Sequence, residues 1–372
     1  MIKILHCADL HLDSPLSSLD ITKAELRHSD MRAAFTSLTL SAKMNKVDFL
    51  LISGDLFDGA FVSRDTIALI CREFAAIPDC KIIIAPGNHD PYTQSSYYRR
   101  GEFPENVYIF DSSELSCFDF PEKNTTIYGW AFTSEHMDTC PLEGFSVEDP
   151  TRINLLVAHG ELDASGSKYC PIPSKLLCEC GFDYAALGHV HTYSELKQLG
   201  SGYAAYSGCL EGRGFDECGE KGAVLAAAEK DISLQFAAKF VRFCKRCYEI
   251  ERLDITGAAS NVDAVDKLSA LISERRYGAD TALRVHLTGN VAGDFKLSPK
   301  FLEERFSQLF MLEVIDETLP LLESGRLRDD PTLRGEFYRS LETMLSSNDP
   351  EVRETAAMAL RCGLSALAGE EI

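Results

Sequence analysis

Three short apolar runs separated by stretches of helical periodicity restrict the fold of this chain more than any other feature of it. Ile2–Cys7, Asp48–Ser53 and Lys81–Ala85 are rich in Ile and Leu and end in polar or glycine residues, as buried strands do. Between the first two, Met31, Ala34, Phe35, Leu38 and Ala42 recur at helical spacing. Between the next two, Ile67, Ile70, Cys71, Phe74 and Ile77 do the same, with Ser63 placed to cap the helix. A strand without polar alternation must be covered on both faces, so this βαβαβ opening predicts a parallel sheet flanked by helices.

Downstream the pattern changes. Val107–Phe110, Ile127–Trp130, Ile153–Ala158, Tyr184–Leu187, Tyr203–Tyr206, Ala223–Ala228 and Ile232–Phe243 all have strand character, with few helices between them. The last is long and alternating, as a half-exposed antiparallel strand would be. One sheet does not easily hold so many strands, so two stacked sheets with helices outside are expected, an α/β (α+β) fold. From Arg246 a smaller α+β unit is expected: strand Tyr248–Ile255, helix Val262–Ser273, strand Ala282–Leu287, helix Ser298–Leu309 and strand Met311–Asp316. After Leu319 the chain is helical, with one stripe of Leu333, Phe337, Leu341 and Leu345 and another of Val352, Ala356, Leu360 and Leu364, and with Asp349-Pro350 as a helix start. The expected organisation is a main domain over 1–245, a small α+β domain over 246–318 and a helical tail over 319–372.

Five fragments carry the chemistry: Asp9-Leu10-His11, Gly54-Asp55-Leu56-Phe57-Asp58, Gly87-Asn88-His89-Asp90, His159-Gly160 and Gly188-His189-Val190-His191. Each follows a predicted strand, and the carboxyl ends of strands are where sites form in open α/β sheets. Any one fragment alone is more readily a turn or a pair of solvated imidazoles. Five of the nine histidines fall in these fragments, each at a strand end, and that conjunction indicates one shared cluster. Carboxylate, amide and imidazole donors with no cysteine suit manganese, iron or zinc. Asp9, His11, Asp55, Asn88, His159, His189 and His191 suffice for two metals if Asp55 bridges, and two such ions would activate water and clamp the oxygens of an in-line displacement. His89 is expected to face the open side of the cluster, where it could stabilise a phosphoryl transition state or protonate a leaving oxygen. Asp90 could orient that imidazole or cap the turn. Asp58 could hold the Asp55 loop or a ligand histidine. His6, His28, His136 and His286 lack comparable context.

The ordered set DLH, GDLFD, GNHD, HG and GHVH resembles the calcineurin-like metallophosphoesterase superfamily over about residues 1–240. The resemblance implies a two-sheet αββα sandwich with a dinuclear metal site. The opening HCADLHLDSPL, the loop GDLFDG, GNHDPYTQSSYY, ALGHVHTY and YSGCLEGRGFDECGEKGAVL are similar to the SbcD-like branch of DNA repair exonucleases, YhaO type. That branch implies Asp9, His11, Asp55 and His191 on one metal and Asp55, Asn88, His159 and His189 on the other. It also implies His89 as the transition-state histidine, manganese as the metal, and a capping domain where Tyr248–Asp316 lies. DNA and a coiled-coil ABC-type, SbcC-like ATPase are the implied partners, and a homodimer the implied assembly. Ser207-Gly208-Cys209-Leu210 departs from the Pro-Gly-Asn or Pro-Gly-Ser usual there. The chain has no GxxxxGK[ST] loop, so ATP dependence would have to come from another subunit.

The function expected is therefore that of a metal-dependent DNA exonuclease or endonuclease subunit of a repair complex. A phosphoesterase of small nucleotides or other phosphodiesters uses the same residues, and a non-catalytic ATPase scaffold is the third reading. A protein Ser/Thr phosphatase fits less well, since Asp90 and Gly59-Ala60 stand where GNHE and GDxxDRG patterns would differ. The formal net charge of −20 excludes a histone-like polyanion binder. Its excess lies in 101–200, with 5 basic and 16 acidic groups, and in 301–372, with 7 and 15. DNA contact by the isolated chain should thus be local, weak and salt-sensitive, with Arg99-Arg100, Lys239, Arg242, Lys245, Arg246 and Arg275-Arg276 as candidate phosphate contacts. Thirteen scattered cysteines, no apolar run long enough for a membrane and no leader at MIKILHCADLH point to reduced thiols in the cytoplasm. The CxC pair Cys178 and Cys180 and the CxxC pair Cys244 and Cys247 could make a zinc site, but their wide separation favours free thiols.

Overall fold

The computed structural model describes every residue except 18, 60, 61, 102, 293, 294, 322–326 and 368–372. Ala60 of the second motif loop and parts of the predicted tail therefore lie outside the described residues. The chain forms two compact units, Met1–Cys247 and Tyr248–Ile372.

In the first unit the strands are β1 (Ile2–Cys7), β2 (Phe49–Ile52), β3 (Lys81–Ile84), β4 (Val107–Ile109), β5 (Ser116–Phe120), β6 (Thr125–Gly129), β7 (Ile153–His159), β8 (Glu161–Leu162), β9 (Pro171–Ile172), β10 (Tyr184–Gly188), β11 (Lys197–Leu199), β12 (Gly202–Tyr206), β13 (Gly222–Lys230) and β14 (Leu234–Arg242). They build two six-stranded sheets, ordered β14-β13-β1-β2-β3-β4 and β11-β12-β10-β7-β6-β5. β1, β2, β3 and β4 run parallel in register, Leu5 beside Leu50 and Leu50 beside Ile82.

Alternation along each strand sorts the side chains into three cores. Ile4, Phe49, Leu51 and Ile83 from the first sheet meet Ile127, Leu155, Val157 and Ala186 from the second, so the sheets pack face to face. The neighbouring positions Leu5, Leu50, Ile52 and Ile82 point the other way, against Phe35, Leu38, Ile70 and Phe74 of the helices Ile21–Asn45 and Arg64–Ala75. On the far side Leu156, Ala185 and Leu187 pack on Trp130, Leu142 and Leu177. The unit is thus a mixed α/β sandwich of two sheets with helices outside. Ser63 caps the second helix as expected, its side chain accepting the Thr66 N–H. Edge strands β5 and β11 were not expected: both are short and largely exposed, and with Phe120 as the one buried residue between them they carry little apolar signal.

The second unit holds β15 (Cys247–Asp254), which begins at the boundary, then β16 (Thr281–Thr288), β17 (Asn290–Ala292), β18 (Met311–Asp316) and β19 (Leu319–Leu321). Its core joins Leu268 and Ile272 of the helix Asn261–Arg275 to Leu283, Val285, Leu302 and Val314. Ser260 and Asp263 form a capping box that starts this helix. The helices Leu333–Leu345 and Pro350–Leu367 pack on each other. Ala356 and Leu360 of the second stripe are buried there, whereas Leu333 of the first stripe is exposed. Among the described residues no helix is long and apolar enough to cross a membrane.

One buried histidine predicts an acid sensitivity. His6 on β1 is fully enclosed, with Nδ1 2.8 Å from the Tyr184 hydroxyl, and burial pushes its pKa down to about 3. Below pH 6.5 the unfolded chain takes up this proton while the folded chain does not. Stability is therefore intact above pH 6.5 and is lost as pH falls toward 3, at about 1.4 kcal/mol per pH unit. In urea unfolding between pH 6.5 and 4.5, wild type is expected to lose roughly 2 kcal/mol more than His6→Gln. Equal losses would contradict this.

Candidate metal centre

Two loops zip together to open the centre. After β1, the N–H groups of Asp9, His11 and Leu12 donate to the carbonyls of Gly54, Asp55 and Leu56 at 3.1, 2.9 and 3.0 Å. This pairing forces Asp9, His11 and Asp55 into the left-handed region, at φ +52°, +44° and +52°, and His189 sits at +99°. Non-glycine residues held there are uncommon and concentrate at functional sites. Gly54 and Gly87 are required by close approach: a Cβ at Gly54 would lie 2.2 Å from His159 Nδ1, and one at Gly87 2.2 Å from Asp55 Oδ1.

The seven residues expected as ligands come from five strand ends and meet in one place. Asp55 Oδ2 lies 3.6 Å from His11 Nε2 and 3.4 Å from His159 Nε2, between the two halves of the cluster. On one side His11 Nε2 and His191 Nε2 are 3.3 Å apart, with Asp9 Oδ1 3.9 Å from His191 Nε2. On the other, Asn88 Oδ1 is 2.8 Å from His159 Nε2 and 3.2 Å from His189 Nδ1. Asp9, His11 and His191 form one group that could hold a metal ion, Asp9, Asp55 and His159 a second, and His11, Asp58 and His89 a third.

The donor set fits a cation. Three imidazoles have their outer nitrogen engaged: His159 Nδ1 with the Ser53 carbonyl at 2.9 Å, His189 Nε2 with Glu161 at 3.1 Å, and His191 Nδ1 with Glu217 at 2.7 Å. Each ring then donates its proton outward and turns a lone pair inward, the arrangement by which outer partners set ligand tautomers. Burial pushes His159 and His189 down to about 4, so neither inner nitrogen carries a proton near pH 7. His159 Nε2, His189 Nδ1 and Asn88 Oδ1 are thus acceptors facing acceptors, a contact that a shared cation relieves. Burial likewise lifts Asp9 to about 7, against the pull of His191, and raises Asp55. Dications would supply the charge that makes two buried carboxylates tolerable.

His89 stands apart at the edge. Its side chain is 45% exposed, its Nδ1 lies 2.8 Å from Asp58 Oδ1, and its ring meets the His11 ring edge-on at 4.9 Å. The Asp58 hydrogen bond raises its pKa against partial burial. With Asn88 it lines a cavity of about 860 Å³, walled also by Phe57, Tyr97, Thr133, His136 and Tyr169.

Asp90 does not bond to the His89 ring. Its carboxylate accepts the N–H groups of Gly87 and Leu56, both at 2.7 Å, those of Asp55 and Phe57 at 3.2 Å, and the Tyr98 hydroxyl at 2.5 Å. Of the two roles open to it on sequence, the contacts are those of a turn cap, and the bond to His89 belongs to Asp58. The neighbours diverge because the turn directs successive side chains to opposite sides of the loop.

Sequence reasoning missed Glu161, Glu217, Arg213 and Tyr98. Arg213 Nη2 is 2.8 Å from Glu217 and its Nη1 is 3.4 Å from Asp58, so one guanidinium links the residue holding His191 to the residue holding His89. A signal existed: Glu161 comes two residues after His159, and Arg213 and Glu217 are an i, i+4 pair in the stretch GRGFDE. Of the basic groups proposed to meet phosphate, Arg246 is engaged by Asp30 at 2.7 Å and Arg275 by Glu251 at 2.9 Å. No cysteine joins a candidate metal group among the described residues.

Residues 2–193 match the family model of the calcineurin-like phosphoesterases, and the chain belongs to that family. Its curated relatives include the uncharacterised metallophosphoesterase YhaO of Bacillus subtilis (strain 168), 28% identical over 332 residues, covering 85% of this chain and 79% of that one. The DNA double-strand break repair protein Mre11 of Saccharolobus solfataricus is 27% identical over 250 residues, 63% of this chain and 62% of the relative. The SbcD component of the nuclease SbcCD of Staphylococcus epidermidis is 22% identical over 244 residues, 58% of this chain and 63% of the relative. The similarity spans less than two thirds of the length of the last two proteins.

Proposed function

We propose that this calcineurin-like phosphoesterase is a dinuclear-metal phosphodiesterase that cleaves DNA, as the nuclease subunit of a repair complex. The observation that carries the reading is the convergence of inward-facing imidazole nitrogens, an amide oxygen and two buried carboxylates, with His89 beside them at the cavity wall. Asp9, His11, Asp55 and His191 would hold one ion, and Asp55, Asn88, His159 and His189 the other, with manganese as the metal. Two ions there supply an activated water and charge stabilisation for the phosphate. The chain's own groups do the rest. Ser53, Glu161 and Glu217 fix the imidazoles. Asp58 engages His89 Nδ1, which leaves Nε2 to donate a proton to a phosphate or leaving oxygen. Asp90 ties the Asp55 loop to the Gly87 turn so that ligands from different strands stay in register.

The relatives named for double-strand break repair and for a two-component nuclease support DNA as the substrate and a second subunit as the partner. By the motif resemblance that partner is a coiled-coil ABC-type ATPase and the assembly is built on a homodimer, while thirteen free thiols fit a reducing cytoplasm. By the same resemblance residues 246–318 are the family's capping domain, and the helices after 319 pack on the same chain or receive the ATPase.

The test is incubation with Mn²⁺ and labelled duplex and single-stranded DNA, with and without the ATPase. Cleavage is expected, and it should disappear with chelator. No cleavage under any of these conditions, together with strong turnover of cyclic nucleotides or aryl phosphodiesters, would sink DNA as the substrate and leave a small-molecule phosphodiesterase.

A further inference from the structure

The motif Cys244-Lys245-Arg246-Cys247 has no part in the metal cluster. It forms the turn from β14 into β15, and its two sulfurs stand 3.7 Å apart. The turn is pinned from two sides. Lys221 N–H donates to Cys244 Sγ at 3.3 Å, and the N–H groups of Lys245 and Arg246 fold onto the Glu211 carboxylate at 2.6 and 3.1 Å. Arg27 in turn holds Glu211 at 2.7 Å. The Glu211 contacts thus hold the turn, and with it the two thiols, independently of the sulfurs.

Their surroundings differ from those of the other buried cysteines. Burial pushes Cys7, Cys170 and Cys209 well up, Cys80 to about 12 and Cys180 to about 11. Cys244 goes the other way, down to about 7, first because Cys247 donates a hydrogen bond to it and then, against burial, through Lys221 N–H and the Arg242 side chain. A thiolate stabilised by a partner thiol, a backbone N–H and a guanidinium is the environment of a reactive CxxC cysteine.

We propose that Cys244 and Cys247 are a redox-active dithiol that a low-molecular-weight disulfide oxidises to an intramolecular disulfide. The Cys244 thiolate attacks one sulfur of the disulfide RSSR, forming a mixed disulfide and expelling RS⁻. Cys247, giving up its proton, then attacks Cys244 Sγ and expels the second RS⁻. Two electrons pass from the cysteines to RSSR, and two RSH leave with the protons. Bond formation brings the sulfurs from 3.7 Å to about 2.05 Å, a side-chain movement within one turn. Lys221 links this turn to the metal cluster, because its ammonium holds the His191 carbonyl at 3.0 Å while its N–H holds Cys244. The disulfide withdraws Cys244 from that N–H and so loosens the support of His191, a consequence that rests on the metal-centre reading above.

The test equilibrates the full chain with reduced and oxidised glutathione, traps thiols by alkylation and maps them by mass spectrometry. Cys244 and Cys247 are expected to be linked at ratios where Cys7 and Cys180 remain thiols. Recovery of both as thiols when other cysteines have already reacted would overturn the dithiol. Cys247→Ser should stop at one glutathione on Cys244, and absence of the adduct would also overturn it. Should that variant fail to fold, alkylation of wild-type Cys244 must show a half-maximal rate near pH 7, and a rate rising only above about pH 9 contradicts the proposal. Oxidised wild type should bind Mn²⁺ several-fold more weakly than reduced. Unchanged affinity with the disulfide formed overturns the link through Lys221, and no Mn²⁺ binding in either form overturns the metal-centre reading while leaving the dithiol to the thiol map.

Discussion

Replacing His89 by alanine is expected to lower Mn²⁺-dependent phosphodiester turnover by about 10²–10⁴-fold, the range for loss of a positioned proton donor. Two bound ions per chain should remain. The separation of these effects follows from the geometry. His89 is the exposed member of the histidine group, lining the cavity with its Nδ1 engaged by Asp58, whereas His11 and His159 are closed off from solvent. Removing it deletes a group at the substrate side and leaves every inward-facing donor of the cluster in place. Metal content by elemental analysis and turnover of an aryl phosphodiester and of DNA measure the two independently. A variant that keeps more than about a tenth of wild-type turnover would remove His89 from the mechanism. Loss of metal together with turnover would instead make it a ligand, in line with the group of His11, Asp58 and His89.

Replacing Arg27 by methionine is expected to destabilise the first unit by about 3–5 kcal/mol, the cost of leaving a buried charge unpaired. Arg27 lies on the helix Ile21–Asn45 with its side chain 1% exposed. Nη1 is 2.7 Å from Glu211 Oε1 and 3.1 Å from Asp30 Oδ2, and Nη2 donates to the Gly212 carbonyl at 2.5 Å. Burial already raises the pKa of Glu211, and Arg27 is the first group that opposes this. Without the guanidinium, Glu211 keeps only the Lys245 and Arg246 N–H groups among these partners, and it must protonate or open the turn. The double change Arg27→Met with Glu211→Gln should recover part of the loss, because it removes both charges. Urea unfolding of both single variants and the double variant checks this. A single-variant cost below about 1 kcal/mol would show that the pair is solvated after all.

The prospective ligands were legible because each is tied to a local event, the end of a buried strand followed by a turn that needs glycine or a left-handed residue. Asp9, Asp55, Asn88, His159 and His189 were found in this way, and the strands carrying them lie where the apolar runs placed them. Asp58, inside a motif, was a candidate to hold a histidine, but that its partner is His89, 31 positions on, was not legible, and neither were the carboxylates that orient the ligand imidazoles. Glu217 lies 26 positions from His191. Glu161 is 28 from His189, although it adjoins a motif. A hydrogen bond across that separation leaves no periodicity or spacing in the chain. Asp90 shows the converse: adjacency to His89 left a bond to that ring and a turn cap equally open, and the turn sends its carboxylate to four backbone N–H groups.

By itself the sequence determined the two-sheet sandwich, through apolar strands that need covering on both faces and more strands than one sheet easily holds, and the chemical class of the site, through carboxylate, amide and imidazole donors at five strand ends. Only the tertiary structure decided which nitrogen of each imidazole turns inward, which carboxylate holds which ring, and that Cys244 alone among the buried thiols discussed is eased toward its thiolate. The reason is physical. Burial and period are properties of a segment, whereas tautomer, charge state and reactivity depend on atoms that the fold brings within about 3 Å from distant parts of the chain.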